Sequence, residues 1–351
     1  MKHLLAQLLD GTPLDVEQAI EAFDLIMTGE APPAQTGALL ALIETRGPSV
    51  EEIVGAATVM RRKLRAVTVP DGQTLVDTCG TGGTKSTFFN ISTAAAIVTA
   101  AAGRELGIGV AKHGNRSVTS RSGSAQVFEA LGVKIQVQPQ TLTRCLEDAG
   151  ICFCFAPAHH PAMRHAGPVR QQLGFRTIFN LVGPLTNPAR ANRQLLGVAS
   201  KELTGQIAEV LDRLHARRAL VVHSVLPTGQ PLGELTTLAP AEVTEVHDGT
   251  LRSYELDPAS LGLKPPADAA AISIDGPEAS AAIIRGVLDG ENGPARDIVR
   301  LNAAAALMAA GGAADLSEGL QRAAEAIDSG TAKKGLERMA QITQEDPTGR
   351  G

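Results

Sequence analysis

Residues 75–124 read LVDTCGTGGTKSTFFNISTAAAIVTAAAG followed by RELGIGVAKHGNRSVTSRSGS. A short apolar run, Leu75-Val76, enters a turn holding Gly80, Gly82 and Gly83, and an Ala-rich helical segment opens at Asn90–Thr93. Glycines let the backbone approach a ligand closely, with N–H groups turned toward it. The first N–H groups of a helix lack intrahelical partners, and the helix dipole adds positive potential there. Strand, glycine loop and helix N-terminus together predict a seat for phosphate.

A second apolar run, Ile108–Ala111, leads into Lys112-His113-Gly114-Asn115-Arg116-Ser117-Val118-Thr119-Ser120, and Arg121, Ser122 and Ser124 extend it. Two cations, an amide and three hydroxyls in nine positions suit a ligand with many anionic oxygens. The alternative is a solvated surface loop, which rarely gathers Gly, Asn, Lys and Arg behind a buried strand.

Around this stretch the pattern divides the chain. Residues 1–66 carry helical spacing only: Leu4, Leu5, Leu8 and Leu9; then Val16, Ile20, Phe23 and Met27; then Leu39, Leu40, Leu42 and Ile43. Ser49 with Glu52 forms a capping box for a fourth helix. From about Gln73, apolar runs alternate with helices. The runs are Leu75–Val76, Ile108–Ala111, Lys134–Val137, Ile151–Ala156, Leu220–Val222 and Ala270–Ile274. Helices are expected over 90–102, 124–131, 140–149, 200–214, 278–289, 294–310 and 315–328. The fold class is therefore α/β: a small N-terminal helical domain plus a larger α/β domain with a mostly parallel central sheet flanked by helices. The expected boundaries are 1–70 for the helical domain, joined by part of 165–190, then 71–345, then a polar, frayed tail over 346–351.

At 351 residues and 44% hydrophobic the chain can bury a substantial core, built from aliphatic residues because only 3% are aromatic. A net charge of −5 and a pI of 5.9 argue against a nucleic-acid surface, so the cations above serve a small anion. Cys79, Cys145, Cys152 and Cys154 lack zinc spacing and read as reduced thiols. No apolar run is long enough to span a bilayer, and no signal peptide is apparent, which predicts a cytoplasmic protein.

Between the halves lie His159-His160-Pro161-Ala162-Met163-Arg164-His165, Pro168-Val169-Arg170, Arg176-Thr177-Ile178-Phe179-Asn180 and Gly183-Pro184-Leu185-Thr186-Asn187-Pro188. No carboxylate accompanies these histidines, so a carboxylate or phosphate held by arginine fits better than a metal. A structural hinge is the alternative, and the two are compatible.

Four blocks together resemble the anthranilate phosphoribosyltransferase family: Gly80–Gly83, Asn90–Thr93, Lys112–Ser124 and His160–Pro188. The glycine loop is shared with pyrimidine nucleoside phosphorylases; the third and fourth blocks are more particular. The resemblance implies transfer of a phosphoribosyl group from phosphoribosyl pyrophosphate (PRPP) to anthranilate, with Mg²⁺, in a homodimer paired through the helical domain. It implies PRPP binding by Gly80, Gly83, Thr84, Asn90, Ile91, Ser92, Thr93, Lys112, His113, Gly114, Asn115, Arg116, Ser117, Val118, Thr119, Ser120 and Ser124, with Lys112 stabilising the leaving group. Gly80, Asn115, His160 and Arg170 would meet anthranilate, and Ser92 and Glu234 would hold the metal. No acid–base or nucleophilic residue is called for.

The chain departs from the family pattern at Thr84-Lys85, where Asp-Gly is usual, at Phe88 for Thr, at Gln126 for Asp, and at Gly233-Glu234 for Asp-Glu. A short insertion around Arg104–Gly109 precedes Lys112. One magnesium on Ser92, Glu234 and pyrophosphate remains expected, because Mg²⁺ takes few protein carboxylates when phosphates supply oxygens. Lys85 is expected to offer fixed charge in place of a second. The alternatives are a related phosphoribosyltransferase with another aromatic acceptor, or a ligand-binding homologue without turnover.

Overall fold

The computed structural model describes residues 1–84, 86–117, 122–266 and 269–348. Lys85, Val118, Thr119, Ser120 and Arg121 lie outside the described residues. The first four helices are α1 (Lys2–Leu9), α2 (Val16–Thr28), α3 (Pro33–Arg46) and α4 (Val50–Lys63). The expected capping box closes α4: the Ser49 hydroxyl accepts from Glu52 N–H at 3.2 Å and the Glu52 carboxylate accepts from Ser49 N–H at 2.9 Å. Their apolar faces converge on Leu4, Phe23, Leu39, Leu40, Ile43 and Ile53, all fully buried.

The rest follows as β1 (Thr74–Gly80), α5 (Ile91–Gly103), β2 (Ile108–Gly114), α6 (Ser124–Ala130), α7 (Pro139–Ala149), β3 (Ile151–Phe155), α8 (Ala156–His159), α9 (Met163–Leu173), α10 (Phe179–Val182), β4 (Arg193–Gly197), α11 (Glu202–Arg213), β5 (Arg218–Val225), β6 (Pro231–Leu232), β7 (Ala241–His247), β8 (Thr250–Leu256), α12 (Pro277–Leu288), α13 (Pro294–Ala310), α14 (Leu316–Asp328) and α15 (Thr331–Glu345). The sheet runs β3-β2-β1-β4-β5-β7-β8, parallel through β5 and antiparallel beyond it. Helix α5 is almost wholly buried from Ala94 to Ala100 and packs against α13 as well as the sheet, which is why it is rich in alanine. Helix α9 packs on α2 and α3, so the segment between the histidines and Arg176 lies against the N-terminal helices.

Three expectations are corrected. Residues 134–137 form no strand: Lys134 N–H donates to the Thr343 hydroxyl at 3.1 Å, so the segment is tied to α15 and not to a sheet edge. Ala269–Ile272 is a 3₁₀ turn, with one antiparallel bridge from Ser273 to Phe88 in place of a strand over 270–274. The chain end is not frayed through 348. Asp346 is buried and accepts hydrogen bonds from the Thr141 hydroxyl, Gln138 N–H at 2.9 Å and Thr348 N–H at 2.8 Å. Among the described residues no helix is long and apolar enough to cross a membrane, and all four cysteines are unpaired thiols.

Candidate active site

Strand β1 sits at the sheet centre between β2 and β4, and its glycine end and the Lys112–Gly114 end of β2 point the same way. In open α/β sheets this carboxyl end is where ligands bind. Asp77, fully buried on β1, links the two strands beyond the last backbone pair, Val76 with Val110. One carboxylate oxygen accepts from His113 N–H at 3.1 Å, and the other from the Asn187 amide at 2.8 Å. The same amide donates to the Ala111 carbonyl at 2.7 Å. Both oxygens act as acceptors, so the geometry fits the ionised form, although burial pushes the acid upward against the opposing pull of Lys112.

Lys112 is 1% exposed. Its ammonium donates to the Thr78 carbonyl and, at 3.3 Å, to the Ser92 hydroxyl. Burial lowers its pKa, while Asp77, Cys79 and Glu234 hold it up. Ser92 opens α5, and its N–H donates to the Glu234 carboxylate at 3.1 Å. Burial raises the Glu234 acid to about 7, against the Ser92 hydrogen bond and Lys112. Lys112, Ser92 and Glu234 are thus brought together from β2, α5 and the turn after β6. The Glu234 carbonyl accepts from the Ser224 hydroxyl at 3.0 Å, and Asn302 of α13 brackets Leu235, accepting at 3.2 Å and donating at 2.8 Å. Gly197 must lack a side chain, since a β-carbon there would lie 1.5 Å from the Gly233 carbonyl oxygen.

The helix terminus differs from the sequence expectation of free donors. Ile91 N–H donates to Phe89 O at 2.8 Å, Thr93 N–H to Asn90 O at 3.0 Å, and Ser92 N–H to Glu234. A phosphate arriving here competes with the Glu234 carboxylate for Ser92. Asn90 makes no side-chain cap; it exchanges hydrogen bonds with the Ser280 hydroxyl at 2.9 and 3.0 Å. Gly82 and Gly83 take φ of +65° and +94°, conformations that favour glycine, and Thr84 follows them half-buried.

The second loop closes on Gln126, whose side-chain oxygen accepts from Ser117 N–H at 3.1 Å and Gly123 N–H at 3.0 Å. The substitution of glutamine at this position keeps an acceptor there. Gly114 leaves room for Ser124, whose hydroxyl would lie 2.2 Å from an added β-carbon. The Asn115 oxygen bonds locally to Arg116 N–H at 2.8 Å, and Arg116 pairs with Glu129 at 2.6 Å on the surface.

Across the hinge, His160 and His113 meet Nε2 to Nε2 at 3.2 Å. Burial, then His160 and His159, push His113 well below its ordinary range; burial and His159 take His160 to about 4. Both rings are neutral at pH 7. Arg170 donates to Asn180 Oδ1 at 3.4 Å and lies over the Phe179 ring at 5.3 Å. The arginine that reaches the first glycine loop is Arg176, which donates to the Thr81 carbonyl at 3.2 Å. Arg176 and Asn187 lie in blocks that the sequence marks without giving either a role, and Asp77 and Asn302 carry no motif of their own. Among the described residues no three His, Cys, Asp or Glu side chains cluster to hold a metal unaided. Glu234 and the Ser92 hydroxyl fit a magnesium ion that takes its other oxygens from phosphate and water.

A helical bundle set on an α/β domain, with glycine loop, lysine and carboxylate gathered at the strand ends, defines a glycosyl transferase. The family model described as "Glycosyl transferase family, a/b domain" matches residues 72–333, and the companion helical bundle domain matches 2–64. The chain belongs to the anthranilate phosphoribosyltransferase family. It is 49% identical to anthranilate phosphoribosyltransferase of Thermomicrobium roseum over 96% of this chain and 95% of that protein. It is 48% identical to that of Symbiobacterium thermophilum over 98% of both. The crystal structure of the Thermus thermophilus enzyme superposes with a TM-score of 0.88 at 42% identity, covering 97% of this chain and 99% of that one. The Saccharomyces cerevisiae enzyme in complex with PRPP and Mg superposes with a TM-score of 0.85 at 26% identity, covering 97% of each chain.

Proposed function

We infer that this chain transfers the 5-phosphoribosyl group of PRPP to the amine of anthranilate and releases pyrophosphate, the second step of tryptophan biosynthesis. The observation that carries the residue assignment is the Lys112 ammonium, buried between the Thr78 carbonyl and the Ser92 hydroxyl and faced by Glu234. The ribose C1–oxygen bond breaks as the C1–nitrogen bond forms, so negative charge grows on the departing pyrophosphate. Lys112 supplies charge already in place, and preorganised stabilisation of this kind is worth about 3 kcal/mol per donor. The neutral aromatic amine is a competent nucleophile and loses its proton to water or to pyrophosphate. Alignment behind C1 does the rest.

PRPP is held by Gly80, Gly83, Thr84, Asn90–Thr93, Lys112–Ser117 and Ser124, and the same reading extends to Val118, Thr119 and Ser120. Anthranilate lies against Gly80, Asn115, neutral His160 and Arg170, whose guanidinium matches a carboxylate. Magnesium bound on Glu234 and Ser92 would supply Lewis-acid neutralisation of the phosphates. The helical unit, 1–70 with part of 165–190, pairs two copies in the cytoplasm, with neither nucleic acid nor membrane as partner. The test follows loss of anthranilate fluorescence on mixing protein, PRPP and Mg²⁺. Turnover that needs all three, with kcat at least about 100-fold lower in Lys112→Met, is expected. Fluorescence that stays constant with the wild type refutes the activity.

A further inference from the structure

We propose that Arg176 is a positioning residue: a strut that holds the first glycine loop in its ligand-receiving shape. The inference rests on the reading that this loop holds PRPP. Arg176 rises from a fixed base. Gly174 ends α9 in the left-handed conformation at φ +69°, Thr177 and Ile178 are buried at 2% and 0% exposure, and Thr177 N–H donates to Asn180 Oδ1 at 3.0 Å. From that base the guanidinium crosses to the loop and donates to the Thr81 carbonyl at 3.2 Å. It also fills the place where a side chain on Gly83 would stand: an added β-carbon would lie 2.2 Å from Nη1 and 2.7 Å from Cζ. Gly83 is therefore glycine for two reasons, its φ of +94° and the arginine packed against it.

Burial disfavours the Arg176 charge, and the charge of Glu44 on α3 opposes that effect. Backbone amides stabilise a phosphate best when they are aimed before it arrives, because a loop ordered only on binding costs affinity. A planar guanidinium offers donors in fixed directions, which an ammonium does not.

The experiment measures PRPP binding by calorimetry, with kcat and KM for each substrate, in wild type, Arg176→Ala, Arg176→Lys, Gly83→Ala and the Arg176→Ala/Gly83→Ala pair. Arg176→Ala is expected to weaken PRPP binding tenfold or more, to change kcat much less, and to leave the KM for anthranilate unmoved at saturating PRPP. Arg176→Lys keeps the charge and is expected not to rescue. Gly83→Ala displaces the guanidinium, so the pair is expected to lose no more than the worse single variant. Arg176→Lys also keeps the test open should Arg176→Ala fail to fold, since it is expected to show the same weakened PRPP binding. Wild-type PRPP affinity in Arg176→Ala, full rescue by lysine, or additive losses in the pair overturns the strut. Absence of PRPP binding by the wild type sinks the underlying reading instead.

Discussion

Replacing Asp77 with asparagine tests the electrostatic frame under Lys112 at nearly constant volume. The carboxylate accepts from two donors, His113 N–H at 3.1 Å and the Asn187 amide at 2.8 Å. An asparagine offers one oxygen, so its own NH₂ must face one of those donors. A buried donor left unsatisfied costs about 1–3 kcal/mol. The charge lost is the largest of those that oppose burial at Lys112, which is 1% exposed. The unfolding free energy of Asp77→Asn should therefore fall by about 1–3 kcal/mol in urea melts followed by circular dichroism. Lys112 should also lose its proton at lower pH. Asp77 holds that pKa up, so without it the alkaline fall in kcat should move to lower pH. A variant within about 0.5 kcal/mol of wild type, with an unmoved alkaline limb, would refute the reasoning.

Glu234 supplies a second pH dependence. Its acid stands at about 7 against an ordinary 4.5, so its contribution to stability is fully present below pH 4.5 and is lost as pH rises through 7. The loss is about 3 kcal/mol, and urea melts of Glu234→Gln between pH 4.5 and 8 should show a correspondingly flatter profile. Gly197→Ala drives a β-carbon to 1.5 Å from the Gly233 carbonyl oxygen. Backbone must move, and a loss of about 1–3 kcal/mol with displaced Glu234 and sharply reduced turnover is expected by thermal melting and assay. Asp346→Ala removes the acceptor shared by Thr141, Gln138 and Thr348. It should cost about 1–3 kcal/mol while leaving the KM for PRPP unchanged.

Much of the fold was legible because periodicity is local. The spacing of Leu4 to Met60 marks four helices, and Ser49 with Glu52 starts the fourth, as found. The alternation after Gln73 marks a mostly parallel sheet, and the glycine turn after β1 places the site at the strand ends. The residues that the sequence singles out at Lys112, Ser92 and Glu234 do converge. What stayed hidden depends on partners far along the chain. Asp77 sits in an apolar strand with no motif of its own, and its meaning comes from Asn187, 110 positions away. Ser92 looks like a free helix-terminal donor until Glu234, 142 positions on, is seen to accept from it. The sequence by itself determined the elements and the chemical types at the site, because side-chain period and turn chemistry act over a few residues. Only the tertiary structure decided that Arg176 and not Arg170 reaches the glycine loop, and that Asp77 meets the His113 N–H and the Asn187 amide, because crossover connections bring such groups together and no local pattern records the meeting.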